Sequence, residues 1–483
     1  MNVVTRFAPS PTGFMHIGGV RTALFAYLFA KKNNGTLILR IEDTDQARAI
    51  EGSIQHIQDS LSWLGIDFEY GPNKPGPFGS CIQSERMDSY KAFAQKLMDA
   101  GHAYPDPYTH EEITAFREAA KAEKRPFLFR DHRPKTLGAW DGKAPLRFKV
   151  PEIKRYRWND AVRGELEAGE EALDDFILMK GDGYPTYNFA HIVDDHLMGV
   201  THIFRADEFI SSTPRFLSLY DALGVTPPIF VTLPAILRDD RTKKLGKRDG
   251  AKDVLEYRTE GYLPEALVNY LALIGWNPGT DEEVFTKEEL VQRFSLDQIQ
   301  KSGGAFNETK LRWFNREHIL KLTPEKFLKY AEGFLPKEIK ATLKKKDLLE
   351  KLVPLMRERI QTFEELKEMG EAGEFSFYAE TPEYHVKGLL PKDDTDTQRT
   401  AAKLKYTLSL LETISEDGWH DQKIKEIVWP YAEQEGRAQV LWPLRYALSG
   451  KPKSPDPFTI AGIIGKDETL ERISHAIELL HRA

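Results

Sequence analysis

The feature of this 483-residue sequence that most limits its fold is a short apolar strand followed by a glycine-containing turn and a helix. The strand is predicted over Val3 to Phe7. The helix is predicted to begin near His16, because apolar residues recur at helical spacing after it. Gly18 and Gly19 have no side chains to block a ligand at the helix N-terminus. Free backbone N–H groups and the helix dipole favour anions there, so the turn predicts a site for nucleotide phosphates.

A second apolar strand, predicted over Thr36 to Ile41, is followed directly by Glu42 and two further acids. Open parallel sheets bind ligands beyond the carboxyl ends of their strands, so these acids are expected over the same pocket. A helix predicted over Gln46 to Leu64 completes a strand–helix–strand–helix order. That order is typical of a doubly wound sheet.

The rest of the chain falls into three parts. Mixed short helices and strands from about Tyr104 to Gly183 predict an inserted α+β subdomain, which is basic in places. The sheet pattern then resumes with a strand from His202, a helix that opens at Thr213 and Pro214, and a strand at Ile229 to Leu233. Beyond residue 250 the pattern is almost wholly helical. We therefore predict a Rossmann-type doubly wound parallel sheet with an insert, followed by an all-α C-terminal region.

Composition excludes several classes of protein. The net charge of -7 gives no overall nucleic-acid signature, so any RNA contact depends on local basic faces. The single cysteine, Cys81, excludes an internal disulfide framework and a multi-cysteine zinc site. No apolar run is long enough to cross a bilayer, and no targeting segment is recognised. These observations predict a cytoplasmic protein with no membrane partner.

The loop after the last predicted strand is crowded with cations. Residues 241–248 read RTKKLGKR and include Lys244 and Lys247. Nucleotidyl transfer needs positive charge where the pyrophosphate leaves, in a site that excludes water. Taken alone, the loop is better explained as a solvated basic segment. Its pairing with the phosphate-binding turn favours the catalytic interpretation.

Both segments resemble known signatures. Residues 16–19 (HIGG) resemble the HIGH motif of class I aminoacyl-tRNA synthetases, and residues 244–248 (KLGKR) resemble their KMSKS loop. The stretches RFAPSPTG, RIEDTD, QSER, DGYPTYNFAHIVDDHLMGVTHIFRADE and GYLPEALVNYLALIGW are similar to bacterial-type glutamyl-tRNA synthetases in particular. The resemblance extends to the C-terminus and is strongest in the N-terminal two thirds.

The resemblance implies an activity. A member of this family ligates L-glutamate to the 3′ end of tRNA(Glu) through a glutamyl-adenylate, with ATP as its Mg²⁺ complex, and we expect a monomer. Some relatives carry zinc-binding cysteines in the insert. The corresponding residues 104–108 here contain no cysteine, so no zinc is predicted.

The resemblance also implies residues for each ligand. The positions expected to bind glutamate are Arg6, Ala8, Ser10, Glu42, Tyr187, His191 and Arg205. The positions expected to bind ATP are His16, Gly18, Gly19, Lys244 and Lys247, of which His16, Lys244 and Lys247 are expected to be catalytic. The positions expected to contact the tRNA anticodon are Arg359 and Arg445.

Residue chemistry agrees with these roles. An arginine guanidinium pairs bidentately with a carboxylate, so Arg6 and Arg205 suit the acidic substrate. The Glu42 carboxylate suits the substrate ammonium. His191 stands where relatives often carry Asn, and its charge is expected to vary with pH. Asp194, Asp195 and His196 superficially resemble a metal cluster, but adjacent side chains point in different directions, which favours a structural or pocket-wall role.

Two sites depart from the family pattern. Gly19 replaces the last histidine of the class I motif, and Gly246 replaces the usual serine of the lysine loop, which removes a hydroxyl and loosens the backbone.

The expected domains are a catalytic Rossmann domain over 1–103 and 184–237, an acceptor-stem-binding insert over 104–183, a stem-contact domain over 238–322, and a helical anticodon-binding region over 323–483.

Several alternatives stay open or are disfavoured. The closest alternative function is a non-discriminating glutamyl enzyme that also charges tRNA(Gln); the match at Arg359 favours discrimination. A relative that glutamylates a modified tRNA base lacks the helical region. A glutaminyl enzyme would show a β-barrel pattern after the lysine loop. A non-catalytic RNA-binding protein would be expected to lose His16 or the loop lysines.

Overall fold

A computed structural model of the chain describes residues 2–246, 252–392 and 394–483. The chain forms two compact units. The N-terminal unit comprises Met1–Arg258 and Leu263–Phe314, and the C-terminal unit comprises Thr259–Tyr262 and Asn315–Ala483. In the described residues no helix is both long and apolar enough to cross a bilayer.

In its described residues, the N-terminal unit contains a main mixed sheet and two smaller sheets. Its strands are β1 (Val4–Phe7), β2 (Thr36–Leu39), β3 (Ala103–Pro105), β4 (Leu146–Phe148), β5 (Tyr156–Asp160), β6 (Gly164–Ala168), β7 (Ile177–Met179), β8 (His202–Ala206), β9 (Ile229–Leu233), β10 (Ile236–Leu237) and β11 (Gly304–Ala305). The main sheet has the order β2-β1-β8-β9-β5-β6, and its pairs are parallel except the β5–β6 hairpin. The predicted α/β class is confirmed.

Helices cover this sheet and complete the N-terminal unit. They are α1 (Ile17–Lys32), α2 (Ser53–Trp63), α3 (Met87–Asp99), α4 (His110–Ala122), α5 (Tyr187–Leu197), α6 (Thr213–Leu223), α7 (Val254–Thr259), α8 (Pro264–Leu273), α9 (Lys287–Arg293) and the first half of α10 (Glu308–Leu320). Helix α1 forms because Val20, Ala23 and Leu24 share one face, and each is fully buried. After it, Gly35 passes so close to β1 that a Cβ would lie 2.2 Å from the Val3 carbonyl oxygen.

The insert is divided between two sheets. Strands β3, β4 and β7 form a separate antiparallel sheet, whereas the β5–β6 hairpin joins the edge of the main sheet through β9. A short parallel pair, β10–β11, was not predicted, because two residues carry no readable periodicity. The prediction of one helix over Gln46 to Leu64 is wrong at its start. A 3₁₀ turn occupies Gln46–Arg48, and Gly52 adopts a φ of 77° just before α2.

The C-terminal unit is helical, as predicted. It holds the end of α10, followed by α11 (Pro324–Ala331), α12 (Lys337–Lys345), α13 (Leu349–Arg359), α14 (Glu364–Glu371), α15 (Ser376–Ala379), α16 (Val386–Leu389), α17 (Thr397–Glu412), α18 (Asp421–Glu435), α19 (Arg437–Ser449), α20 (Pro457–Ile464) and α21 (Lys466–Arg482). Residues 315–392 and 394–483 contain no strand. The described part of this unit therefore lacks the β pattern expected of a glutaminyl enzyme.

Candidate active site

A cavity of about 930 Å³ lies at the carboxyl ends of the parallel strands. Strand β1 pairs with β2 on one side and with β8 on the other, so the order of the chain reverses at β1. Crevices at such reversal points are where open α/β sheets bind ligands. The turn from β1 into α1 lines one side of this cavity.

Most of the predicted site residues meet in this cavity. Those that line it are Arg6, Ala8, Ser10, His16, Gly18, Gly19, Glu42, Tyr187, Arg205 and Lys244. Lys247 lies outside the described residues, as does Arg248. His191 is not among the lining residues.

The turn at the start of α1 is ordered by His16. This residue is the N-cap, with extended backbone, and its Nδ1 accepts a hydrogen bond from the Gly18 N–H at 3.1 Å. A Cβ on Gly18 would lie 2.9 Å from the imidazole Cε1, so glycine is required for this ring position. The first turn of α1 carries no acid, which leaves its dipole available to an anion.

Beneath the cavity, Arg40 organises a buried charge network. Its Nη1 donates to Asp195 Oδ1 at 2.6 Å, and its Nη2 donates to Glu42 Oε1 at 2.8 Å. Arg6 Nε donates to the same Asp195 oxygen at 3.2 Å. Burial raises the pKa of Asp195, but the charges of Arg40 and Arg6 outweigh it and hold this pKa below its usual range. Asp195 therefore stays ionised and fixes Arg6.

Asp194 supports the same wall from the other side of α5. It accepts hydrogen bonds from Arg86 Nε at 2.7 Å, Gln83 Nε2 at 2.8 Å and the Tyr90 hydroxyl at 2.8 Å. The structural role predicted for Asp194 and Asp195 is thus confirmed. Within the described residues no group of three or more His, Cys, Asp or Glu is arranged to hold a metal ion.

Arg205 is another buried cation of the cavity, and the carboxylates of the Arg40 network form no ion pair with it. It is 6% exposed, its Nη2 donates to Thr213 Oγ1 at 2.7 Å, and its guanidinium carbon lies 4.3 Å from the centre of the Phe230 ring. No carboxylate of the described chain lies within ion-pair distance of it. Burial lowers its pKa to about 10, so it remains charged at neutral pH. A buried charge of this kind is costly unless an anion joins it.

Glu42 offers the opposite charge at the same cavity. Burial raises its pKa in spite of the neighbouring Arg40. A bound ammonium group would favour the ionised carboxylate and reverse this shift. Among the lining residues, Arg6 and Arg205 with Glu42 thus supply two guanidinium groups and one carboxylate, which together complement a zwitterion with an additional acid group.

His191 lies behind the wall of the cavity. Its ring stacks on Tyr187, with centroids 4.6 Å apart, and its Nδ1 lies 2.6 Å from the Tyr187 carbonyl oxygen. Burial lowers its pKa to about 3. The expectation that its charge changes near neutral pH is therefore wrong, because the buried ring stays neutral. Its visible effect is to support Tyr187.

Three further lining or supporting residues were not predicted. Arg40 is one of them, and the structure reveals its role through its buried hydrogen bonds to Asp195 and Glu42. Arg21 lines the cavity and donates to the carbonyl oxygens of Pro234 and, at 3.1 Å, Ile274. Glu208 forms an ion pair with Lys244 at the rim. A buried arginine inside an apolar helix or strand was the available signal for the first two; nothing local pointed to Glu208.

The C-terminal unit has its own cavity, of about 1300 Å³. Arg359 lines it and forms an ion pair with Glu374, and Lys351, Lys451 and Lys453 add further cations. Arg445, the other predicted anticodon residue, does not line this cavity. Its guanidinium instead donates to the carbonyl oxygen of Pro452 and to Ser454, so it supports a segment that does.

Comparisons with known proteins agree with this geometry. The model of the family "tRNA synthetases class I (E and Q), catalytic domain" matches residues 2–313, and an "Anticodon binding domain" model matches residues 325–477. The chain is 40% identical over 489 residues to a glutamate–tRNA ligase of Clostridium botulinum, covering 99% of this chain and 98% of that protein. A relative from Clostridium tetani with the same description is 39% identical over 492 residues, covering 99% and 97%.

Solved structures give the same result. A glutamate tRNA ligase from Elizabethkingia meningosepticum, crystallised with its amino acid, superposes with a TM-score of 0.83 at 33% identity, covering 99% of this chain and 100% of that one. A glutamate-tRNA synthetase from Elizabethkingia anophelis superposes with a TM-score of 0.80, also at 33% identity and over the same shares.

Proposed function

Because the chain belongs to the class I tRNA synthetases for glutamate and glutamine, and among them to the glutamate–tRNA ligases, we propose that it joins L-glutamate to tRNA(Glu) through a glutamyl-adenylate. One observation supports the assignment of residues. Arg205 is a buried cation without a carboxylate partner in the described chain, and it lines the same cavity as Arg6. We assign the substrate side-chain carboxylate to Arg6, with Arg205 as the second guanidinium of the pocket. The α-ammonium is assigned to Glu42.

The remaining predicted glutamate contacts complete this pocket. Ala8 and Ser10 follow β1 directly, and Tyr187 begins α5 opposite them. His191 acts through Tyr187, since it stacks on that ring from behind. Arg6 is held by two hydrogen bonds, from its Nε to Asp195 and from its Nη1 to the Phe204 carbonyl oxygen at 3.4 Å, so its Nη2 is assigned to the substrate.

In the first step, an oxygen of the glutamate α-carboxylate attacks the α-phosphorus of ATP. The bond from that phosphorus to the bridging oxygen breaks, and pyrophosphate leaves. His16 and the positive end of the α1 dipole stabilise the phosphates, and Gly18 and Gly19 let the ligand approach. Lys244 and Lys247 are assigned to the leaving pyrophosphate. Lys244 must exchange Glu208 for a phosphate to do so, a small cost because the ion pair is largely exposed.

Mg²⁺ is assigned to the ATP substrate. It supplies charge neutralisation between the phosphate groups. The carboxylates of Asp45 and Glu208 line the cavity and are oxygen donors of the kind this ion accepts. No zinc is expected from the cysteine content of the sequence, which is the single Cys81.

In the second step, a ribose hydroxyl of the terminal adenosine of the tRNA attacks the carbonyl carbon of the adenylate. The new ester forms, the bond from the carbonyl carbon to the phosphate oxygen breaks, and AMP leaves with the hydroxyl proton passing to phosphate or water. We assign no protein nucleophile or general base. Arg359 is proposed to read the anticodon, with Arg445 holding residues 452–454 at the same cavity. A cytoplasmic monomer is proposed.

The decisive experiment is aminoacylation with labelled glutamate and separately purified tRNA(Glu) and tRNA(Gln). Charging of tRNA(Glu) alone is expected. Charging of both tRNAs would replace the proposal with the non-discriminating alternative, and charging of neither would overturn it.

The residue assignment has its own test. Arg6→Ala is expected to abolish measurable pyrophosphate exchange in the presence of tRNA. Lys91→Ala is the control, because it removes an exposed cation on α3 that does not line the cavity. Exchange by Arg6→Ala at the wild-type rate would show that glutamate binds elsewhere.

A further inference from the structure

The segment just before His16 is held by a histidine–aspartate pair outside the cavity lining. His56 Nε2 lies 2.9 and 2.8 Å from the two carboxylate oxygens of Asp253. The pair is mostly buried, with side chains 12% and 21% exposed. His56 belongs to α2, and Asp253 directly precedes α7, so the contact joins two elements that are far apart in the chain.

The other ring nitrogen of His56 points at the phosphate-binding turn. Its Nδ1 lies 3.4 Å from the backbone nitrogen of Met15, which donates to it. A nitrogen that accepts here carries no proton, so the proton of the neutral ring belongs on Nε2, where it is donated to Asp253. Ser60 also lies 3.4 Å from Nδ1, but its hydroxyl proton is directed to the His56 carbonyl oxygen at 2.7 Å. Asp253 therefore fixes the tautomer that binds Met15.

Additional contacts converge on the same residues. The Phe14 ring stacks on His56, with centroids 4.6 Å apart. The Val254 N–H donates to the Met15 carbonyl oxygen at 2.9 Å, and His16 and Asp253 form an antiparallel bridge. The residues immediately before His16 are thus restrained through a side chain, an N–H group and a carbonyl group. Little freedom remains in the backbone that aims the imidazole.

We propose that His56 and Asp253 are positioning residues that act through Met15 to hold the His16 imidazole at the N-terminus of α1. The inference rests on the proposed function, in which His16 stabilises the phosphates of ATP. Displacing a group from its reactive position costs rate even when every substrate still binds. The pair should therefore affect turnover more than glutamate affinity, because Arg6 and Arg205 bind glutamate without contacting it.

The test uses the full-length protein and tRNA-dependent pyrophosphate exchange. Asp253→Ala is expected to lower kcat by about tenfold and to change the KM for glutamate by less than about twofold. Asp253→Asn is expected to restore most of the rate, because its amide oxygen can still accept the His56 Nε2–H. His56→Phe gives a second route, since phenylalanine preserves the stack on Phe14 but offers no nitrogen to Met15 or Asp253. Asp99→Ala, which removes an exposed carboxylate that accepts a hydrogen bond from Gln95 on α3 and does not line the cavity, is the control and should match the wild type.

Repeating Asp253→Ala in a His16→Gln background distinguishes positioning of His16 from a merely structural role of the His56–Asp253 pair. If the pair acts through His16, the second substitution should lower kcat by less than about twofold there. The same tenfold loss in both backgrounds would overturn the inference, as would wild-type kcat in both Asp253→Ala and His56→Phe. Wild-type protein without any exchange activity would instead overturn the proposed function, and this inference with it.

Discussion

The two cavities of this protein hold their arginines in opposite ways. In the N-terminal unit, Arg205 is 6% exposed and has no carboxylate partner among the described residues. In the C-terminal unit, Arg359 is 38% exposed and forms an ion pair with Glu374. The first arrangement keeps a desolvated charge fixed for one small anion. The second keeps a solvated charge that can exchange partners at little cost, which suits contact with a large and mobile ligand.

The surroundings of the two cavities differ as well. Arg40 and Asp195 lie beneath the first cavity and are fully buried, so they hold Arg6 in a rigid frame. Removing one partner of such a frame leaves a buried charge unpaired, at a cost of about 3 to 5 kcal/mol. The second cavity has no comparable frame around Arg359 in the described residues. Its chemistry is therefore easier to alter by substitution without unfolding the unit.

The largest expected effect is that of Arg205→Leu. Loss of this guanidinium should raise the KM for glutamate by at least about 30-fold, because a desolvated hydrogen-bonded charge pair contributes about 2 to 5 kcal/mol. Thermal stability should not fall, because the substitution removes a buried cation that lacks a carboxylate partner in the described chain. The measurements are pyrophosphate exchange at varied glutamate and a thermal melt.

Arg359→Leu is the matched substitution in the other cavity. It should leave the KM for glutamate unchanged and alter only the parameters for tRNA. An Arg205→Leu enzyme with wild-type KM for glutamate would remove the distinction between the two cavities.

A smaller effect, on stability, tests where the two units are alike. Each buries a histidine whose pKa is lowered by burial, to about 3 for His191 and about 4 for His318. At pH values between 6.5 and these lowered pKa values, each histidine is protonated in the unfolded chain but neutral in the native protein. The free energy of unfolding therefore falls as the pH falls. From pH 7 to pH 5, His191 should cost the N-terminal unit about 2 kcal/mol.

His191→Asn should reduce this acid sensitivity. The Asn amide can donate to the Tyr187 carbonyl oxygen in place of the ring nitrogen, but it does not titrate. Denaturant unfolding of both proteins at pH 7 and pH 5 gives the comparison. Equal losses of stability in the wild type and His191→Asn would mean that the pKa of His191 is the same in the native and the unfolded protein.

These residues also show how far sequence reasoning reaches. The strand, glycine turn and helix around His16 were predictable because their contacts are local, and the predicted sheet class followed from the same periodicity. The bonds of Arg40 to Asp195 join residues 155 positions apart, so no local pattern reveals them. His191 was misjudged for the same reason. Its neutrality comes from burial behind Tyr187, which depends on how α5 packs.

Arg445 teaches a related lesson about the second cavity. Its place in the sequence indicated a residue near the anticodon, but its hydrogen bonds run to Pro452 and Ser454 in its own unit. The direction of a side chain on a helix depends on the fold around it. The contact of Arg445 with the anticodon stays a prediction, because a matching position in the sequence does not specify which atoms its guanidinium contacts.

The smallest expected effect concerns Glu374, the partner of Arg359. Because both side chains are more than a third exposed, the ion pair is worth well under 1 kcal/mol, and Glu374→Gln should leave the fold intact. It should lower the KM for both tRNAs, since the substitution removes a negative charge from a cavity that is proposed to bind a polyanion. It should also reduce the preference for tRNA(Glu) over tRNA(Gln) by roughly two- to fivefold, because Arg359 loses the carboxylate that orients it.

Glu478→Gln separates these two consequences. Glu478 forms an exposed ion pair with Arg482 on α21, and neither residue lines the cavity. This control makes the same change in net charge but leaves Arg359 paired, so it should preserve the tRNA preference. If the two variants shift KM and preference alike, Glu374 acts only through its charge. If Glu374→Gln alone weakens the preference for tRNA(Glu), the second cavity depends on Arg359 being held in place by Glu374. The two cavities would then differ only in how firmly they hold an arginine.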